Sequence, residues 1–364
     1  MKKTNITAIF GTRPEAIKMC PLIKELKSRD IFNIRVCLTG QHGNMVKDTL
    51  ERFGLTYDAD LNIMTSGQTL FDITEKALKR IKTELIENPP RLVLVHGDTT
   101  SAFAAALSAF YLKIPIGHVE AGLRTGNIYS PFPEEFNRKA IDSISSLCFC
   151  PTENNLQNLL SEGKSNNSCF ITGNTAVDAI KHTVRNTQKK PSSPIRILRT
   201  VHRRESLGEP IKSILRGVRR AALKYNNAEI TFPVHPNPTI KDIVNEVLSP
   251  PPSNIRLTPP MDVFSFHRAL ASSHIVLTDS GGIQEEAAAL HVPIILARDC
   301  TERIEISSLG GMISAGTDED KIFDSLCRLI EDPDLRERMS SAKNPFGDGS
   351  ASIRIADIIS REFA

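Results

Sequence analysis

Along this chain, short apolar runs alternate with longer stretches whose apolar residues recur at helical spacing. The runs fall at residues 5–10, 34–39, 91–96, 115–120, 147–151 and 169–173. Short continuous apolar runs predict strands buried on both faces, and the helical stretches between them predict crossover connections. A polar connector at 185–193, with Lys189-Lys190-Pro191-Ser192-Ser193, interrupts the pattern, which restarts at 196–201, 229–234, 255–257, 274–277 and 293–297. The alternation predicts an α/β protein of two Rossmann-like domains, each a parallel sheet covered by helices. The expected division is 1–180 for the first domain, 181–349 for the second, and 350–364 for a last amphipathic helix. Periodicity leaves open whether that helix ends the second domain or crosses back to the first.

Open parallel sheets present ligands to the loops beyond strand C-termini, so polar residues just past the apolar runs are the candidates for chemistry, and the cleft between the domains is the expected site. The run at 274–277 leads into Thr278-Asp279-Ser280-Gly281-Gly282-Ile283-Gln284-Glu285-Glu286. A tight turn opening a helix there offers backbone N–H groups to a phosphate and sets Glu286 where ribose hydroxyls could be met. A plain strand-to-helix turn using glycine for its geometry is the competing reading. The first run ends in Gly11-Thr12-Arg13-Pro14-Glu15-Ala16-Ile17-Lys18, where Pro14 suits a helix start and Arg13 and Lys18 can face a diphosphate.

Three acidic loops follow: His96-Gly97-Asp98-Thr99-Thr100, His118-Val119-Glu120-Ala121-Gly122-Leu123-Arg124-Thr125, and Pro131-Phe132-Pro133-Glu134-Glu135. Converging carboxylates at Asp98, Glu120 and Glu134 could share proton transfer, because close carboxylates push their pKa values apart. Helix capping and solvated faces are the alternative roles. In the second half, Thr200-Val201-His202-Arg203-Arg204-Glu205 sets an imidazole beside two guanidinium groups, a set suited to an anion. His235, among prolines, suits shaping a loop as well as touching a ligand, and Arg303 in Arg298-Asp299-Cys300-Thr301-Glu302-Arg303 is a further strand-end cation.

Composition removes other classes. A chain of 364 residues with mean hydropathy of -0.18 has room for two cores, and a net charge of +3 without basic runs gives no sign of a nucleic-acid partner. No stretch has the length of a membrane span or the pattern of a signal peptide. The seven scattered cysteines suit reduced core thiols in a cytoplasmic protein, and Cys148-Phe149-Cys150 has no companion pair or histidine to complete a metal site.

Taken together, the Gly11–Lys18 motif, His96-Gly97-Asp98-Thr99-Thr100, Gly117-His118-Val119-Glu120-Ala121-Gly122-Leu123-Arg124-Thr125, Thr172-Gly173-Asn174-Thr175, His202-Arg203-Arg204-Glu205, the Ser280-Gly281-Gly282 turn and Asn344-Pro345-Phe346-Gly347-Asp348-Gly349 resemble the non-hydrolysing UDP-N-acetylglucosamine 2-epimerases. The resemblance implies a GT-B arrangement with the last helix back on the first domain, a homodimer, a UDP-sugar substrate, and neither cofactor nor metal. It implies interconversion of UDP-GlcNAc and UDP-ManNAc by anti elimination and re-addition of UDP, supplying envelope or capsular polysaccharide synthesis. Asp98, Glu120 and Glu134 would be the acid and base carboxylates, and His202 would lie near the diphosphate. Arg13, Lys18, Ser280, Gly281 and Gly282 would hold the diphosphate and nucleotide; Glu286 would meet ribose, Arg303 would add a cation, and Phe266 would lie near uracil.

Some members of that family take UDP-GlcNAc as an activator through a Gln-His-x-x-Gln element and an Arg before Gln-Thr-Leu. The matching residues here are Gln41, His42 and Asn44, with Gly67 before Gln68-Thr69-Leu70, so a cation is absent from the pattern. Other departures are Arg199 in a strand that is apolar in the family, Met261 in place of a base-contacting Gln, and Cys300 and Ile304 where Thr and Pro are usual. A hydrolysing epimerase, a GT-B UDP-sugar glycosyltransferase and a non-catalytic sugar-nucleotide sensor are the alternatives. The acidic loops argue against the transferase and the sensor.

Overall fold

The computed structural model describes residues 3–65, 67–184, 193–201, 207–299 and 301–363. The connector residues 185–192, His202 to Glu205 and Cys300 therefore lie outside the described residues. The chain divides into two compact units, Met1–Ala179 with Phe346–Ala364, and Ile180–Pro345. Among the described residues, no helix is long and apolar enough to cross a membrane.

The first unit holds β1 (Thr4–Phe10), β2 (Phe32–Leu38), β3 (Ala59–Asp60), β4 (Leu92–His96), β5 (Ile116–Val119), β6 (Leu147–Cys150) and β7 (Cys169–Ile171). They form one parallel sheet in the order β3-β2-β1-β4-β5-β6-β7. Ile9, Val93 and Val95 pack against Ala77, Ile81, Ala102 and Ala105 from the covering helices. The alanines of helix Thr100–Tyr111 bury a face with little bulk, which lets that helix sit close to the sheet. Helix Ala351–Phe363 belongs to this unit: Asp178 accepts from the backbone N–H of Ser352 at 2.8 Å, and Arg29 pairs with Asp357 at 2.8 Å.

The second unit holds β8 (Ile195–Thr200), β9 (Ala228–Pro233), β10 (Ile255–Thr258), β11 (Ile275–Thr278), β12 (Ile294–Leu296) and β13 (Met312–Ser314). Its parallel order is β10-β9-β8-β11-β12-β13. Ile197, Ile230, Leu277 and Ile295 meet Leu215, Val218, Ile322 and Leu326 in its core. Both units are Rossmann-like, the building plan of GT-B proteins. In each, strand order reverses direction beside a central strand, β1 in one and β8 in the other, and ligand-facing loops gather at such switch points.

Two strands had no counterpart in the hydrophobic pattern. β3 and β13 are edge strands of two and three residues, defined by backbone pairing to β2 and β12 rather than by apolar length. The departure at Arg199 is a buried one. Its side chain is 1% exposed inside β8, lies over the Phe232 ring at 3.7 Å, and none of its guanidinium nitrogens makes a hydrogen bond among the described residues. Burial pulls its pKa down to about 9, against the nearby Asp279 charge.

Candidate functional site

The turn after β1 is built by a capping box that the sequence spells as Thr12-x-x-Glu15. The Thr12 hydroxyl caps helix Arg13–Ser28, and Glu15 Oε2 accepts from the N–H of Thr12 at 2.7 Å and of Gly11 at 3.1 Å. Glu15 Oε1 accepts from Thr99 Oγ1 at 2.9 Å, tying this turn to the one after β4. Burial pushes the Glu15 carboxyl up, against those hydrogen bonds. Arg13 is half-buried at the helix start, while Lys18 is buried one turn further in and pairs with Glu120.

Glu120 follows β5 directly. Expected as the last residue of a strand, it instead has φ of +72°, a left-handed conformation that a glutamate adopts only when its surroundings hold it there. Its carboxylate is ringed by Lys18, by Asn174 Nδ2, which donates to Oε2 at 2.9 Å, and by His96 Nε2 at 3.8 Å. Asp98 sits at the end of the neighbouring strand, a quarter exposed, and pairs with Arg138 at 2.5 Å. A Cβ added at Gly97 would stand 4.0 Å from Glu120 Oε1, so the two loops are close neighbours.

Glu134 and Glu135 open helix Glu134–Ile144 and separate cleanly. Glu135 is 1% exposed, and its two oxygens accept from the N–H of Thr125 at 3.1 Å and pair with Arg138 at 3.3 Å. Its carboxylate shapes the loop after β5. Glu134 is half-buried beside it.

Gln41, His42 and Asn44 lie against the same turn. Gln41 accepts from Ser101 Oγ at 2.7 Å, and the N–H of Arg13 donates to His42 Nδ1 at 3.3 Å. Burial first, and the Arg13 charge second, hold the His42 ring below its usual pKa. Asn44 begins helix Asn44–Arg52, and Gly67 has φ of +75° with open space around it.

In the second unit, Ser280 is the N-cap of helix Gly281–Ala289 and makes no side-chain hydrogen bond to it. The helix therefore begins without a capping oxygen, as a phosphate-receiving terminus does. The strand ends on either side are linked, Thr200 Oγ1 donating to Thr278 Oγ1 at 2.9 Å. Glu286 is buried, with His267 Nε2 at 3.4 Å from its carboxylate. Phe266, half-buried, precedes that histidine on helix Val263–Ser272. Arg303, expected as a cation facing a nucleotide, is 5% exposed, pairs with Glu285 at 2.7 Å and with Glu302, and packs under Gly281. It braces the turn from below. His202 lies outside the described residues.

Sequence reasoning passed over Glu15, Arg138 and Asp142. Glu15 had a legible capping-box signal, and Glu135, Arg138 and Asp142 fall three and four residues apart, a polar stripe on the buried face of one helix.

Two Rossmann-like units, with an uncapped glycine-rich turn at the switch point of one and clustered carboxylates at that of the other, have the pattern of nucleotide-binding α/β proteins. The sequence model of UDP-N-acetylglucosamine 2-epimerases matches residues 24–360, and the chain belongs to that family. It is 46% identical to the UDP-N-acetylglucosamine 2-epimerase of Bacillus subtilis (strain 168) over 98% of this chain and 95% of that one. The crystal structure of the Neisseria meningitidis UDP-GlcNAc 2-epimerase bound to UDP-GlcNAc superimposes with a TM-score of 0.93 at 40% identity, covering 99% of this chain and 100% of that one. That of the Methanocaldococcus jannaschii enzyme in complex with UDP-GlcNAc and UDP gives 0.86 at 34% identity, covering 98% and 100%.

Proposed function

We propose that this protein interconverts UDP-GlcNAc and UDP-ManNAc without hydrolysis. One carboxylate takes the sugar C2 proton while the C1–oxygen bond to UDP breaks, leaving a C1=C2 double bond and free UDP. UDP oxygen then returns to C1, and a second carboxylic acid delivers a proton to the opposite face of C2. The C2 proton of the intact sugar is too weakly acidic to leave alone, so departure of UDP and a positioned base must act together.

The observation that carries this reading is Glu120: a carboxylate side chain 9% exposed, in a left-handed conformation, beside Lys18 and next to the Asp98 loop. A backbone held at cost at a strand end is a mark of a working residue. Asp98, Glu120 and Glu134 are proposed as the acid and base groups, and His202 as a group near the diphosphate. Arg13, Lys18 and the Ser280-Gly281-Gly282 turn would hold UDP, Glu286 the ribose and Phe266 the base, with Arg303 adding a cation beside the turn. Cations that retain UDP favour its return over attack by water. The relatives solved with UDP-GlcNAc and with UDP support the substrate class. A homodimer is proposed on the family resemblance.

The test is a proton NMR time course with UDP-GlcNAc in heavy water and no added cofactor. UDP-ManNAc carrying deuterium at C2, with no free sugar, is the expected result. Free ManNAc and UDP would replace the proposal with the hydrolysing reaction, and a new glycoside on an added acceptor would replace it with transfer. Asp98→Asn, Glu120→Gln and Glu134→Gln should each slow turnover by about 10² to 10⁴-fold with UDP binding kept. Near-normal turnover in Glu120→Gln would remove that residue from the chemistry.

A further inference from the structure

Behind the two loops that carry Asp98 and Glu120 lies a buried chain of polar groups that the proposed reaction does not use. His118, in the middle of the sheet on β5, is 0% exposed. Its Nε2 is 2.8 Å from the carbonyl oxygen of Gly97, and its Nδ1 is 2.7 Å from Asp142 Oδ1. A carbonyl only accepts, so Nε2 carries a proton. Asp142 also accepts from Arg124 Nη1 at 2.8 Å and from the N–H of Gly122 at 3.2 Å, the set of partners of an ionised carboxylate. Burial raises the Asp142 carboxyl, but the His118 and Arg124 charges and hydrogen bonds outweigh it and hold it below its usual range.

The other polar neighbours have their own partners. Cys148 faces His118 across the β5–β6 pairing, and its pKa is pushed far up, so it stands as a neutral thiol. The Lys164 ammonium is occupied by the carbonyl oxygens of Asp142 at 2.7 Å and Ser145 at 2.6 Å. Glu162 neutralises the far side of Arg124 at 2.6 Å.

We infer that His118 is a positioning residue that, through a contact from each ring nitrogen, fixes the Asp98 and Glu120 loops relative to one another. One nitrogen holds Gly97, immediately before Asp98. The other holds Asp142, which fixes Gly122, two residues after Glu120. The hold matters at Glu120, whose φ of +72° is strained for a residue with a Cβ, while Gly97 at +63° and Gly122 at +84° adopt that region freely. A buried polar cluster is a poor way to stabilise a sheet, since apolar residues of similar volume often do so as well or better. Its presence at this strand end is explained by what it orients. This inference rests on Asp98 and Glu120 acting as the acid and base carboxylates.

The first test is ring-nitrogen NMR on the intact protein labelled with ¹⁵N-histidine. The His118 Nε2 should carry a proton, hydrogen-bonded to the Gly97 carbonyl, and a ring with Nε2 unprotonated overturns the inference. The second is kinetic. His118→Gln and Asp142→Asn should each lower kcat by about 10 to 100-fold, the cost of a displacement near 1 Å at the reacting groups, with KM and UDP affinity within about threefold. A kcat within twofold of the parent in His118→Gln, or equal losses in kcat and UDP affinity, would overturn it. Should a variant not fold, the NMR result on the parent protein decides. Absence of C2 exchange in the parent protein would instead refute the epimerase reading, a separate outcome.

Discussion

Replacing Arg199 with methionine should make the protein more stable. The side chain is buried inside β8, and burial lowers its pKa from the ordinary arginine range by about 3.5 units, to about 9. A shift of that size, at about 1.4 kcal/mol per pKa unit, means that holding the charge in the folded state costs about 5 kcal/mol at neutral pH. The Phe232 ring, 3.7 Å from the guanidinium carbon, returns about 2 kcal/mol for a desolvated cation on an aromatic face. Arg199→Met keeps an unbranched apolar stem and removes the charge. Allowing about 1 kcal/mol for imperfect filling, the net gain is about 2 kcal/mol, or a rise in Tm of about 4–8 °C for a unit of this size. The pH dependence supplies a sharper signature. Because the folded-state pKa is lower than the unfolded one, the unfolded chain binds more protons above about pH 9, so the parent protein gains stability as pH rises beyond that point. The advantage of Arg199→Met should therefore be full at pH 8 and shrink by about 2 kcal/mol at pH 10.5. Paired urea titrations of parent and variant at the two pH values measure this. A variant that is less stable at pH 8, or whose advantage does not change with pH, would show that Asp279 compensates the charge and that the burial cost is misjudged.

Gly122→Ala should destabilise the first unit by about 2–4 kcal/mol, combining left-handed strain with overpacking, since the added Cβ would meet Asn155 O at 2.2 Å. Thermal melts test this, and a Tm unchanged within 2 °C would be inconsistent with that packing. Gly281→Ala would press a methyl group to 2.6 Å from Arg303 Nη1, a side chain held by two glutamates, and UDP affinity by calorimetry should fall about tenfold. Affinity within twofold of the parent would mean that the turn does not hold the nucleotide. Gly67→Arg has space for its side chain and costs about 1 kcal/mol for its backbone conformation. If the missing cation alone prevents activation by UDP-GlcNAc, the variant should show sigmoidal kinetics, whereas hyperbolic kinetics would exclude that explanation.

The chain by itself determined the two α/β units, because every central strand of a parallel sheet is covered on both faces and must be written as an apolar run. It also placed the candidate ligand motifs, since polar motifs at the ends of those runs have only the sheet's C-terminal edge on which to sit. The family followed from long motifs in order, and the Glu15 capping box was legible because its two partners are three residues apart. The short edge strands β3 and β13 were not legible, because pairing to a neighbour rather than apolar length makes them strands. The left-handed backbone at Glu120 was invisible for a similar reason: nothing in a glutamate announces it, and it exists only because Lys18, Asn174 and the Gly122 anchor converge on it from distant parts of the chain. The tertiary structure alone also separated Glu134 from Glu135, joined His118 to Asp142, turned Arg303 beneath its turn and sealed Arg199 inside the sheet. Those outcomes depend on which charges meet once water has been excluded, and that is decided by the packing of elements far apart in sequence.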